Sequence, residues 1–468
     1  MNLQLILKNA SFLFIGNVMV RMLTAISAIV VARYLGAEQY GILSIALIFS
    51  TFTSSMTDLG LTHTFIREGI KSEKDISKLL NSYLVARLCI CVCSSIIIFI
   101  LVSFMYRQEE IRNVILLMVI PTIFGAALQS VGTVYYQTIE KMKFTAIIRT
   151  LAGLISIMGL FISVYLECSL PKIALTYGVC SLLGGIISMS LIINKIKIYK
   201  GLDNSILKGL SAFTLTALLT IMMPLIGPII LEKVSNLKEV GYFNAALRIP
   251  SVLYQIPGII AAAFYPVLFR LIAEKKNEMH TQMIVKEIKL MTLLSVFMVI
   301  PIIEYPMEII HLLLGEQWEG AIQPLQILCF IVLMQSLNFP LADSLTTRGL
   351  QNRRFQLLSV SFVVSVVVYI LLGENFGSQG AAIAALITEF VFFLGLVLVN
   401  RNGIKLVMIG AGKNIINLFI VLGFNFVIFN RFGMWASLIL SYLILIILMW
   451  MDKDIRSLIK TKIVNKSL

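Results

Sequence analysis

The sequence predicts an all-α integral membrane fold of about fourteen transmembrane helices: two related six-helix halves and two further helices near the C-terminal end. Three observations carry this. Hydrophobic residues make up 59% of the 468 residues and charged residues only 13%, with a mean hydropathy of +0.94; a soluble domain carries charge on about a quarter of its residues. Apolar runs long enough to cross a hydrocarbon core recur from one end of the chain to the other. The chain also resembles itself at an offset of roughly 200 residues.

Runs bounded by charges, glycine or proline place the spans at 12–33, 41–62, 79–105, 113–137, 145–166, 172–194, 207–231, 240–269, 288–303, 322–346, 355–373, 379–400, 414–430 and 433–451. The first follows a weakly charged start, MNLQLILKNAS. It is too long for a signal-peptide core and has no small-residue cleavage site, so it reads as a retained span. Pro224 and Pro228 interrupt the seventh run, and Pro250, Pro257 and Pro266 the eighth. Each removes an intrahelical hydrogen bond and permits a bend. An amphipathic stretch, Tyr305–Leu314, follows the ninth and suits the membrane interface.

The charges orient these spans. Of 38 Lys and Arg residues, seven fall in odd-numbered connections: Arg33, Arg107, Arg112, Lys172, Lys233, Lys238 and Arg431. Three lie within spans, Arg21, Arg87 and Arg248, and the other 28 fall at the N-terminus, at the even-numbered connections and in the C-terminal tail. By the positive-inside rule both termini are cytoplasmic. The connection between Glu304 and Gln323 carries four acids and no base, as an outward loop should. The net charge of +14 therefore reflects topology and implies no nucleic-acid partner; basic loops such as KSEKDISK (71–78) and AEKKNEMH (273–280) face anionic bilayer lipids.

No connection is long enough to fold as a soluble domain, and GxxxxGK[ST] occurs nowhere, so nucleotide hydrolysis does not drive this chain. Six cysteines lie almost wholly in apolar runs and imply no disulfide framework. Cys89, Cys91 and Cys93 have no His or further Cys nearby, so neither a metal nor a cofactor is expected.

The repeat defines the halves. ARYLGAEQYGILSIAL (32–47) matches SNLKEVGYFNAALRI (235–249), with Gly41 opposite Gly241. QSVGTVYYQTIEKMKF (129–144) matches QSLNFPLADSLTTRGLQNRRF (335–355), each closing a span with a basic turn and a phenylalanine. This divides the chain into an N-lobe (1–200), a C-lobe (201–402) and a segment of two extra helices with a basic cytoplasmic tail (403–468). Six helices per half keep both halves in one orientation, and two such lobes with a site at their interface are a transporter plan.

The ARYLGAEQYG turn, TDLGL at the end of the second span, and LLLGEQWEGAIQPLQIL (312–328) resemble the bacterial polysaccharide transporters over roughly residues 9–400. These are the O-antigen and capsule-repeat flippases of the multidrug/oligosaccharidyl-lipid/polysaccharide exporter superfamily. The resemblance implies two pseudo-symmetric lobes in a V arrangement and alternating access. It also implies export of undecaprenyl-pyrophosphate-linked oligosaccharide to the periplasmic leaflet of a bacterial inner membrane, alongside other polysaccharide-assembly membrane proteins, and no enzymatic step.

The candidate site comes from polar stripes on apolar helices. Asn17, Arg21 and Thr24 share one face of the first span; Asn244, Arg248, Ser251 and Gln255 share one face of the eighth; Tyr83, Arg87 and Cys91 continue the pattern on the third. Polar residues confined to one face of a membrane helix look into a bundle or a wet cavity. Arginine forks suit the phosphates of a lipid-linked glycan, Ser, Asn and Gln suit sugar hydroxyls, and Tyr83, Tyr135 and Tyr136 offer rings for stacking. Arg21 has a second reading, as an ion-pair partner of Asp58, and Arg87 as a side chain reaching toward the cytoplasmic surface. Glu389 lies mid-span, where a carboxylate exchanges a cation such as H⁺ or Na⁺ or pairs with an arginine; Asp58 is the second ion-coupling candidate.

Three rival functions stand beside the flippase. A multidrug extruder of the same superfamily should line its cavity with acids. A membrane polymerase or glycosyltransferase needs a large loop or a catalytic acid motif. A lipid II flippase differs only in cargo.

Overall fold

A computed structural model describes residues 3–69, 75–193, 203, 210–427 and 433–451. The described residues are almost wholly helical and contain no strand. In order the helices are α1 (Leu3–Met56), α2 (Leu61–Gly69), α3 (Ile76–Met105), α4 (Glu109–Thr138), α5 (Met142–Tyr165), α6 (Leu170–Ser190), α7 (Leu210–Val234), α8 (Leu237–Leu253), α9 (Gln255–Ala273) and α10 (Asn277–Glu304). Then come α11 (Pro306–Leu313), a 3-10 turn (Glu316–Ala321), α12 (Ile322–Leu328), α13 (Phe330–Thr347), α14 (Gln351–Val399), α15 (Gly403–Val427) and α16 (Met434–Met451).

The count of fourteen separate spans is not reproduced. Among the described residues eight helices are long and apolar enough to cross a membrane, or nine when a bent pair counts as one. Two long helices explain much of the difference. The kinked α1 and α14 each carry two of the expected runs, joined at Gly36 (φ 73) and Gly377 (φ 54). Positive φ costs an L-residue with a Cβ about 1–2 kcal/mol and glycine almost nothing, so the breaks fall on glycine. The run expected at 240–269 is split at Tyr254 into α8 and α9. Pro257 has no N–H to give the Leu253 carbonyl, which removes the helical bond spanning the break.

By contacts the chain divides into two compact units whose boundaries differ from those of the repeat. The first holds Met1–Arg248, Leu313–Ala321 and Phe362–Ala384; the second holds Ile249–Leu312, Ile322–Ser361 and Ala385–Leu468.

In the first unit, α4 and α6 meet through small residues. A Cβ on Gly125 would strike the Ser181 backbone, and one on Gly185 would strike Gly125. Such residues let backbones approach closely where lipid removes the hydrophobic drive between helices. Gly41 of α1 and Gly241 of α8, matched by the sequence repeat, pack on each other's helices. A Cβ on the first would meet the Leu237 carbonyl, and one on the second the Ala37 carbonyl.

The short segment 313–321 straps onto this crossing. Gln317 donates through Nε2 to the Arg33 carbonyl at 3.0 Å, and Trp318 is fully buried between Tyr40 and Tyr242, at ring separations of 5.8 and 6.0 Å, both edge-on. Truncating so large a buried aromatic costs about 3–5 kcal/mol. Trp318→Ala should therefore lower the melting temperature of purified protein sharply, whereas Trp318→Phe should recover much of the loss; equal melting for wild type and Trp318→Ala would remove the strap from the stability account.

The second unit packs α9, α10, α13 and α15 around Leu268, Ile284, Ile288, Leu341, Leu345 and Leu406. Asn414 ties α15 to α10 by donating to the Lys289 carbonyl and the Thr292 hydroxyl, at 2.9 and 2.8 Å. At the start of α10, before its apolar run, His280 is buried against Thr347 at 3.0 Å. Burial, seconded by the Arg348 guanidinium, pushes the imidazole down from 6.5 to about 4. The unfolded chain then takes up a proton below pH 6.5 that the folded chain refuses, so this contribution to stability is complete above pH 6.5 and is lost as pH falls toward 4. Thermal melting of detergent-solubilised protein should drop between pH 7.5 and 5, and His280→Gln should flatten that dependence; an unchanged slope in the variant would exclude His280 as its source.

Candidate substrate and ion-coupling site

The expected residues fall into separate groups. Asn17 and Arg21 lie on α1, but their side chains are outside the described residues. Asp58, Tyr83 and Arg87 come together in the first unit. The TDLGL turn between α1 and α2 carries two left-handed residues, Leu59 (φ 43) and Gly60 (φ 83), and presents Asp58 toward α3. Arg87 Nη1 lies 3.3 Å from Asp58 Oδ1 and donates to Thr57 Oγ1 at 3.1 Å, while its Nε donates to Ser130 Oγ at 3.0 Å. Thr62 donates to Asp58 at 2.6 Å, and the Tyr83 hydroxyl bonds Thr62 and Ser130.

This network bears on three expectations. Asp58 pairs with Arg87 among the described residues, and the Arg87 side chain is 6% exposed rather than reaching for the surface. Tyr83 is fully buried, its ring edge-on to Phe65 at 5.4 Å, so it presents no free face for stacking. Tyr136 is likewise occupied, stacked on Phe144 at 4.8 Å.

The stripe on the eighth span is interrupted. Asn244 is buried and donates to its own helix at the Val240 carbonyl, and Gln255 donates to the Ser251 carbonyl, both at 3.0 Å. Asn244 and Arg248 belong to the first unit, Ser251 and Gln255 to the second.

Glu389 belongs to the second unit, on α14. Gln335 Nε2 donates to its Oε1 at 2.9 Å and Asn338 Nδ2 to its Oε2 at 2.8 Å, both from α13. These partners are neutral amides, not an arginine. A carboxylate held this way keeps lone pairs for a small cation or a proton, and the amides fix its rotamer.

The sequence missed one charged residue. The charge count places Arg149 among the basic connections, yet it stands seven residues after the start of α5, about 10 Å along the helix axis. It lines a cavity of about 270 Å³ between α1, α4, α5 and α6, with Thr24, Gln129, Ser156, Tyr177 and Ser181. The signal was present: Arg149, Ala152, Gly153 and Ser156 follow helical spacing on one face of the span.

Comparisons with known proteins agree with this architecture. A family profile described as polysaccharide biosynthesis protein matches residues 6–272. No curated protein matches the chain with significance. Among solved structures, the lipid II flippase MurJ in an inward closed conformation is 16% identical, with a TM-score of 0.72 over 96% of this chain and 99% of that one. An inward-facing multidrug resistance MATE family transporter of the MOP superfamily is 14% identical, with a TM-score of 0.70 over 83% of this chain and 95% of that one. A MOP superfamily transporter from Pyrococcus furiosus, whose binding pocket is described as reversed in polarity, is 15% identical, with a TM-score of 0.59 over 86% and 96% of the two chains. At these identities the likeness is one of fold: an all-helical, multi-pass membrane transporter fold shared with flippases and exporters.

Proposed function

This chain belongs to the polysaccharide biosynthesis protein family, and from that membership we propose that it is a flippase for undecaprenyl-pyrophosphate-linked oligosaccharide. The cargo is an O-antigen or capsule repeat unit, moved from the cytoplasmic to the periplasmic leaflet of a bacterial inner membrane by alternating access. The observation that carries the cargo class is the charge inventory of the spans. Outside the Arg87–Asp58 pair, Arg21, Arg248 and Arg149 are cationic, against one mid-span glutamate already met by two amides. An anionic lipid diphosphate suits such a protein, and a cationic drug does not. The similarity of fold to a lipid II flippase supports lipid-linked cargo; the similarity to MATE transporters supports the extruder as the second reading.

In this proposal both termini are cytoplasmic, and Arg248, Arg21 and Asn17 bind the anionic head of the cargo. Glu389 couples transport to H⁺ or Na⁺ by antiport, while Asp58 holds Arg87 in the first unit. A strain lacking the protein tests the reading: lipid-linked repeat units should accumulate on the cytoplasmic leaflet while surface polysaccharide is lost. Normal surface polysaccharide with new sensitivity to cationic drugs would establish the extruder instead. For coupling, collapse of the ion gradient should strongly slow export in wild type and have no further effect in Glu389→Gln; a variant with full gradient dependence would exclude Glu389.

A further inference from the structure

We propose that the cavity between α1, α4, α5 and α6 is an oxyanion site that takes a phosphoryl or diphosphoryl group, with Arg149 as its cation and Gln129 and Tyr177 as its neutral donors. The proposal rests on the flippase reading only for the source of the group, which there is the head of the lipid-linked cargo.

Three features of the cavity converge. First, Arg149 is a charge two turns into an apolar span, exposed on the wall of the cavity, and an ionisable residue so placed marks a functional site by default. Among the described residues it has no ion pair or hydrogen bond, and no acid acts on it. Asp58 answers Arg87 within the same unit, so the fold supplies a carboxylate where a cation is structural and leaves this one for something else. Second, the hydroxyls divide by role. Thr24 donates to the Val20 carbonyl at 2.7 Å, Ser27 to the Thr24 carbonyl at 2.8 Å and Ser156 to the Ala152 carbonyl at 3.2 Å. Their protons are spent on helix backbone, so they turn acceptor lone pairs to the cavity. The Gln129 amide and the Tyr177 hydroxyl have no hydrogen bond to a described residue and remain donors.

Third, size limits the occupant. About 270 Å³ falls just below the roughly 300–1,000 Å³ of drug-sized ligand pockets. A whole lipid-linked oligosaccharide does not fit, but its phosphate end does. Donors around one cation match phosphoryl oxygens, and the Thr24 and Ser156 acceptors match hydroxyls of the sugar attached to it.

The test uses full-length protein in nanodiscs of zwitterionic phosphatidylcholine, titrated calorimetrically with inorganic diphosphate and, separately, with farnesyl diphosphate. Wild type should bind diphosphate saturably, Arg149→Gln at least tenfold more weakly, and Arg149→Lys in between, since a point charge replaces a fork. Unchanged binding in a folded Arg149→Gln protein overturns the proposal. Should that variant fail to fold, Gln129→Leu and Tyr177→Phe decide, because neither removes the charge; wild-type affinity in both overturns it. Preference for farnesyl diphosphate over inorganic diphosphate, lost in Arg149→Gln, assigns the site to a lipid head group, and the reverse preference assigns it to free phosphate. Arg149-dependent binding in a protein whose deletion leaves surface polysaccharide intact supports the site and removes the flippase reading.

Discussion

Gly41→Leu is expected to remove most folded protein from the membrane, and Gly241→Leu to do the same. At each position the atom a new side chain would meet is a backbone carbonyl, Leu237 for the first and Ala37 for the second. A carbonyl in a helix cannot swing aside as the end of a long side chain can, so the two helices must separate along the crossing. Overpacking of this kind costs about 1–3 kcal/mol even where side chains can yield, from a total stability of about 5–15 kcal/mol. Tyr40, Trp318 and Tyr242 sit next to the crossing and lose their packing with it. Alanine should show the same direction with a smaller effect. Gly412 supplies the control, because a Cβ there meets nothing within 4 Å in the middle of α15. Gly412→Ala should be neutral or should stabilise by up to about 1 kcal/mol. Size-exclusion profiles and melting temperatures in detergent read all of these, and wild-type melting in Gly41→Leu would refute the close approach.

Removing Asp58 should destabilise the protein more than removing Arg87 does. Losing one partner of a buried ion pair costs about 3–5 kcal/mol, chiefly because the other charge is left desolvated. Here the two side chains are unequally buried, Arg87 at 6% exposed and Asp58 at 28%. Asp58→Ala strands a guanidinium with only the Thr57 and Ser130 hydroxyls. Arg87→Leu leaves a carboxylate that still reaches water and still accepts from Thr62. The double variant Asp58→Ala/Arg87→Leu should melt closer to wild type than Asp58→Ala alone. Three equal melting temperatures would mean that the pair contributes nothing to stability, leaving Arg87 available for cargo.

What the sequence showed plainly was one-dimensional. Apolar runs and the repeat linking Gly41 with Gly241 are local strings, because hydropathy is decided residue by residue; that Gly36 and Gly377 would each join two runs within one helix was not legible. That repeat mates would become packing mates was not legible, since spacing along the chain says which face a glycine occupies and not what lies opposite. The same limit separated Arg87 from Asp58. Three arginines within apolar spans and few acids announced that pairing or a ligand was needed, but the choice of partner depends on a turn through Leu59 and Gly60 that only the folded chain displays. Glu389 was picked out by its depth, yet its amide neighbours sit on α13, 54 and 51 residues away in sequence. Arg149 escaped for another reason: a basic residue two turns inside a span looks like the edge of a basic loop until the fold sets it on the wall of a cavity.

The strap that seats Trp318 also sets an order of events during synthesis. The first compact unit is assembled from three stretches of chain, and its last piece ends at Ala384. A ribosome therefore inserts most of the protein before α1 and α8 receive the indole that closes over their crossing. Until then Tyr40 and Tyr242 have no third ring, and the nascent chain holds its early helices in an unfinished state that the translocon or a holdase must tolerate. A chain stopped after Leu312 lacks the strap altogether and should be cleared by membrane proteases, whereas one stopped after Ala384 carries every stretch of that unit and should persist longer.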